Sequence, residues 1–247
     1  MITQITFTGI DARTDIDRLN DIQSRYPFVE FGLLVAKSRQ GNENRYPDLD
    51  ILDKLSGRGL NLSCHVCGSL AREVILGATR KNYLHQSFLD VDFYLSGKLD
   101  IFRRLQLNVS TMDAIPEEIF LHAPAYLDEI IIQQHPHGQD ILTHICSDSP
   151  VSVLFDASGG QGIASSFHPV SWVGTRTGYA GGLNPENVAD RVQPLLKRSI
   201  LWNRNHWIDM ESGVRTDDWF DLDKVEQVLA AVSPFIDKKA KRAKNKQ

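Results

Sequence analysis

A chain of 247 residues, 42% hydrophobic and 23% charged, has the make-up of an ordinary globular protein and is long enough for one large core. Its formal net charge of −4 gives no electrostatic reason to expect nucleic acid as a partner. No apolar run reaches the roughly 18 residues of a membrane helix, no signal peptide is read at the start, and an odd cysteine count argues against a disulfide framework, so a cytoplasmic location is expected.

Ile2 to Ile10 alternates and is rich in β-branched residues, which predicts a strand, and Asp15 to Tyr26 predicts a helix behind it. Val29 to Val35 is a second strand, followed by a long polar loop, Lys37 to Pro47, and a helix over Asp48 to Leu55. Leu60 to Val66 is a third, with a helix from Ser69 to Gly77. Tyr83 to Phe102 fits strand, helix or a capping insertion. Leu105 to Val109 and Glu129 to Gln133 predict strands four and five, trailed by helices at Ile115–Tyr126 and Asp140–Cys146. Val151–Phe155 and Val173–Ala180 are strands six and seven. A helix over Glu186–Arg198 follows, with Asn184 as N-cap and Pro185 at its first position. His206–Met210 is strand eight and Leu222–Ile236 the closing helix. The alternation predicts an α/β protein with a parallel sheet, and eight strands favour a closed (β/α)8 TIM barrel. An open Rossmann-type sheet is the alternative that the pattern leaves standing. One domain over residues 1–237 is expected, with a basic, apolar-poor, disordered tail at 238–247.

In such a barrel the reacting groups stand where strands end and βα loops begin. That rule selects Thr8, Lys37, Cys67, Asn108, Gln133, Asp156, Asp209 and Glu211. Asp156 directly precedes Ser-Gly-Gly. A carboxyl in a closed apolar mouth can act as a general acid, or it can simply accept loop N–H bonds. Three glycine-rich turns, in Val153–Gly162, Gly178–Val188 and Ile208–Val214, suggest one anion site made of backbone N–H groups from the last strands. Arg45, in Asn44-Arg-Tyr-Pro47, offers a guanidinium suited to a carboxylate, unless it is one more surface arginine.

Other features yield less. Cys64-His-Val-Cys67 has metal-site spacing but no second ligand pair, and it reads better as two strand residues on opposite or oblique faces. His135 and His137 lack a convergent carboxylate and read as loop residues, so no metal is expected. Trp172, Trp202, Trp207 and Trp219 read as packing residues, any of which could border an aromatic substrate.

Phe155-Asp-Ala-Ser-Gly-Gly-Gln-Gly162, Ala180-Gly-Gly-Leu-Asn-Pro-Glu-Asn-Val188 and Asp209-Met-Glu-Ser-Gly-Val214 together resemble the C-terminal half of the phosphoribosylanthranilate isomerase family. That family of the tryptophan pathway has a (β/α)8 barrel and performs an Amadori rearrangement without metal or organic cofactor. The resemblance implies a small phosphorylated substrate, no cofactor, and Asp156 as general acid. It places the phosphate on Gly159, Gly160, Gly162, Gly181, Gly182, Ser212 and Gly213, and gives Arg45 to the substrate's carboxylate. Asn108 and Gln133 complete the expected substrate-binding set.

The chain also departs from that pattern. The family's basic cysteine falls on Thr8, which has no ionisation near neutral pH. Its strand-four histidine falls on Asn108, an expected lysine on Ile163 and an expected glutamate on Arg215. Three accounts follow: a paralogue running a different reaction on a phosphorylated sugar-like ligand, an isomerase with a replacement base, or a non-catalytic ligand-binding or scaffold protein. In the first account the base would come from Cys67 or Glu211, or from Lys37 with a lowered pKa.

Overall fold

The computed structural model describes residues 2–78, 84–108, 126–134, 151–156, 176–202 and 206–242. Eight strands form a closed parallel barrel: β1 (Ile2–Thr8), β2 (Val29–Val35), β3 (Leu62–Cys67), β4 (Arg104–Asn108), β5 (Glu129–Gln134), β6 (Val151–Asp156), β7 (Thr177–Ala180) and β8 (His206–Met210). Each strand pairs with the next. β8 returns to β1, with Ile5 opposite Ile208 and Phe7 opposite Met210. That last pairing decides between the barrel and the open sheet.

Six helices are described: α1 (Ile16–Arg25), α2 (Ile51–Leu55), α3 (Gly68–Ala78), α4 (Leu84–Tyr94), α5 (Val188–Trp202) and α6 (Leu222–Val232). Asp15 caps α1 by accepting the Arg18 N–H at 3.1 Å. The ambiguous segment after Tyr83 is helical, α4 and then a 3-10 turn at Leu99–Ile101. The helix expected from Asp48 starts at Ile51. The closing helix stops at Val232, where Ser233–Phe235 tightens to 3-10 around Pro234. α5 starts two residues after the expected Glu186. Asn184 and Asn187 instead accept each other's backbone N–H, at 2.9 and 3.0 Å, and cap a turn ahead of the helix. Strand seven is Thr177–Ala180, and residues 173–175 of the expected strand lie outside the described residues. The basic tail begins with a 3-10 turn, Ala240–Arg242, whose Lys241 Nζ donates to the Ser233 carbonyl at 2.6 Å. The helix expected over Asp140–Cys146 and almost all of that over Ile115–Tyr126 lie outside the described residues, as do His135 and His137.

The two-residue period of a strand sorts the side chains. Ile5, Phe7, Phe31, Leu33, Val66, Leu105 and Ile208 face outward into one core shared with α1, α3 and α6. Cys64 joins that outer core, while Cys67, three residues on, lines the opposite side at the strand's end, and among the described residues no cluster could hold a metal. The inward faces are polar where barrels usually carry branched aliphatics. Deep inside, Glu30 accepts from Thr6 and Arg104, both at 2.9 Å. Glu129 lies 2.7 Å from Arg104 and 2.8 Å from Arg176, and accepts from Ser152 as well. Above this layer Trp207 packs with Ile131, Leu154 and Ala180, and both guanidiniums stack on its ring. Gly178 belongs to this packing: a Cβ there would lie 2.1 Å from the indole.

Candidate functional site

Above the tryptophan, at the C-terminal ends of the strands, a cavity of about 270 Å³ opens. It is lined by Thr8, Cys67, Asn108, Gln133, Asp156, Asp209 and Glu211, one or two from most strand ends, together with Gly181, Gly182, Ser212 and Gly213. The structure therefore brings together most of the residues selected by the strand-end rule. Gly159, Gly160, Gly162 and Ile163 lie outside the described residues. The loops after β7 and β8 are in close contact, since a Cβ on Gly213 would fall 1.9 Å from the Leu183 carbonyl oxygen. Only glycine allows that approach, which sets two glycine turns side by side on one edge of the cavity.

At its base is a buried polar chain. Thr8 Oγ donates to Asp209 Oδ1 at 2.8 Å. The hydroxyl has one proton, so its contact with His65 Nδ1 at 3.4 Å requires that nitrogen to carry hydrogen. His65 Nε2 then accepts from Ser63 at 3.0 Å. Burial keeps this imidazole neutral, holding its pKa down to about 3, with Arg104 acting in the same direction. Burial has the opposite sign for an acid: the Asp209 carboxyl is pushed up to about 7, against the pull of the Thr8 hydroxyl. His65 Nδ1 stands 3.9 Å from the other Asp209 oxygen.

Asp156, 5% exposed, accepts from Gln133 Nε2 at 2.8 Å, which fixes the carboxylate at the mouth. Glu211 is raised by burial and lowered by Arg45, whose Nη1 donates to it at 2.8 Å. Arg45 does not line the cavity. Its Nε donates to Asp218 at 2.7 Å, so acidic groups of the chain hold two of its three nitrogens. Cys67 accepts from Asn108 at 3.3 Å, and burial raises its thiol to about 11, which removes it as a base at neutral pH. Lys37 is not at the cavity, and its ammonium pairs with Glu73 at 2.5 Å. Of the replacement bases expected from sequence, only Glu211 is both present and shifted toward neutrality.

Four contributors escape the sequence reading. His65 sat inside a motif read for its cysteines. Arg39 and Tyr46 line the cavity from the long second loop, 3.0 Å apart at Nη1 and hydroxyl. Asp218 belongs to a hairpin of β9 (Arg215–Thr216) and β10 (Trp219–Phe220), turned by Asp217 and Asp218 at φ 50° and 61°. Two successive left-handed residues make a type I′ turn, and Asp-Asp lacks the glycine that usually signals one in a sequence. Trp219 lies on this hairpin beneath the Arg13 guanidinium, 3.7 Å from its ring centroid, and not in the cavity. Trp172 is outside the described residues.

Residues 117–231 match the family model for N-(5'phosphoribosyl)anthranilate (PRA) isomerase. No curated protein sequence matches the chain. Phosphoribosyl anthranilate isomerase from Thermus thermophilus superposes with a TM-score of 0.56 at 16% identity, covering 94% of this chain and 99% of that one. The enzyme from Thermotoga maritima gives 0.57 at 16% identity, covering 95% and 100%. A phosphoribosyl anthranilate isomerase in complex with reduced 1-(o-carboxyphenylamino)-1-deoxyribulose 5-phosphate gives 0.56 at 16% identity, with the same coverage. The resemblance read from the sequence is borne out, and the fold is theirs. Among the described residues no helix is long and apolar enough to cross a membrane.

Proposed function

We propose that the chain binds a phosphorylated aldosylamine at the C-terminal mouth of the barrel and isomerises it to the ketose by acid–base chemistry. The observation that carries this reading is two buried carboxyls on one cavity, Asp156 and Asp209, of which one is pushed up to about 7. Two buried carboxyls facing one cavity can serve as an acid and a base, and a base is most efficient when its pKa lies near the working pH. Asp156 donates a proton to the ring oxygen, and the C1–O bond breaks to leave an iminium at C1. Asp209 takes the proton from C2, giving an enolamine that tautomerises to the ketone. Thr8 and His65 position Asp209, which supplies the base that threonine itself cannot. The phosphate sits on the adjoining turns at Gly181, Gly182, Ser212 and Gly213, near the start of α5, where backbone N–H groups and the helix dipole favour an anion.

The test is hydrogen exchange at C2 in D2O, with the phosphoribosylamines formed on aniline and on anthranilate as substrates, followed by proton NMR. Wild-type protein should exchange the C2 proton and release ketose. Asp209→Asn should slow exchange by about a hundredfold or more while changing KM only a few fold. Asp156→Asn should block ring opening with phosphate-ester binding retained. Tight binding with no exchange would make the chain a ligand-binding protein on the same barrel and remove the catalytic reading.

A further inference from the structure

The arginine of the second loop is where a carboxylate of the substrate is expected from resemblance, and here its surroundings argue otherwise. Arg45 faces Asp218 with Nε and Glu211 with Nη1, at 2.7 and 2.8 Å, and its Nη1 also lies 3.4 Å from Ser212 Oγ. Two carboxylates around one guanidinium already leave an excess negative charge. The main chain of Asp218 is set by its left-handed turn, and its backbone carbonyl accepts from Arg215 Nη2 at 2.6 Å, which places the residue beside Arg45. Of these groups Glu211, not Arg45, lines the cavity.

Among the described residues the other charged groups of the lining are mostly acidic. Asp156 and Asp209 add two more carboxyls. Arg39, the cation on the lining, donates to Tyr46 and lies 3.6 Å from Glu43. Gln106 adds a buried carbonyl oxygen, Oε1, that accepts no hydrogen bond among the described residues. A phosphate ester can be met by the main chain of the glycine turns. Among the described lining residues a second anion on the same ligand would meet mainly acids and acceptors, with Arg39 already engaged by Tyr46 and Glu43, and would lose more in hydration than it gains.

We infer that the cavity selects a phosphorylated aldosylamine whose nitrogen substituent carries no anion, because Glu211 and Asp218 hold Arg45 as an internal partner. The selected substituent is neutral or cationic and brings hydrogen-bond donors toward Glu211 and Gln106. This selectivity is a matter of exclusion: the built-in carboxylate rejects the charged competitor more than it attracts the correct one. The inference rests on the phosphate reading of the glycine turns.

Calorimetric titration with two probes separates the two ideas. One is reduced 1-(o-carboxyphenylamino)-1-deoxyribulose 5-phosphate, and the other is the same compound without its carboxyl group. Wild-type protein should bind the carboxyl-free probe about tenfold or more tightly than the carboxylated one. Glu211→Gln, close to isosteric, should strengthen binding of the carboxylated probe by about fivefold or more and leave the other within about twofold. Asp218→Asn, at a more exposed position, should move the ratio in the same direction. Equal or tighter binding of the carboxylated probe by wild type, or a ratio unmoved in both variants, overturns the inference and leaves the phosphate reading standing. Failure of both probes to bind folded wild-type protein overturns the two together.

Discussion

Asp209 ties stability to pH as well as to chemistry. A carboxyl whose folded pKa is about 7, against an ordinary value of 3.8, is held protonated by the fold. Its contribution is fully present below the unfolded pKa and is lost as pH rises through the folded one. Above neutrality the native state carries a buried charge that the unfolded chain would solvate. Asp209→Asn should therefore raise the melting temperature at pH 8 and lose most of that advantage at pH 4. The ceiling at high pH is on the order of 4 kcal/mol. Thermal unfolding of both proteins at the two pH values checks it, and equal differences at both would show that Asp209 titrates normally. As the proposed base, the same residue should also set the rate profile, with kcat/KM climbing between about pH 6 and 8.

At the scale of elements, the strands are nearly all where alternation and β-branching put them, because a parallel barrel strand buries both faces and leaves its mark in every residue. Val29–Val35 and His206–Met210 are as expected to the residue. Helix ends are less legible. Asn184 and Asn187 cap a turn ahead of α5, and Pro194 lies within the helix, where a sequence pattern argues for a stop. The site divides in the same way. Asp156, Thr8 and the β7–β8 glycine turns could be found because they follow strands directly. His65 and Asp218 could not, because pairing across strands 57 residues apart and between a loop and a hairpin 173 residues away leaves no local pattern. Gly178 shows how a glycine can mislead: it was grouped with an anion turn, yet it lies within β7 and vacates space for Trp207. Gly178→Ala should cost roughly 2–4 kcal/mol in denaturant unfolding, with partial recovery when Trp207→Leu is added, the mark of overpacking against one ring.

For the molecule as a whole, closure depends on joining the ends of β1 and β8, and a buried ion pair does much of the joining. Arg215, just past β8, donates to the Gly9 carbonyl at 2.9 Å and to Asp11 at 3.0 Å, and Asp11 in turn accepts the Phe220 N–H at 2.6 Å. The resemblance read from the sequence leads to a glutamate being expected at this position, and here the arginine serves the scaffold. Arg215→Met would leave Asp11 charged and buried without its partner, so about 3–5 kcal/mol should be lost. Arg215→Lys should recover only a fraction, because one ammonium cannot reach the acid and both carbonyls together. On the outside, Arg18 bridges α1 to Asp223 and Glu226 of α6, an exposed contact whose removal should cost less than about 1 kcal/mol and depend on salt.

The seam between first and last strands also has a meaning in time. Thr8 and Asp209 are 201 residues apart, and the Asp237 amide donates to the Ile2 carbonyl. While the polypeptide is being made, β1 leaves the ribosome with one hydrogen-bonding edge bare, and it must wait for almost the entire remaining chain before that edge is covered. Ring sealing is thus a late step in folding. Until then, the aspartate that would take the proton has no threonine to hold it.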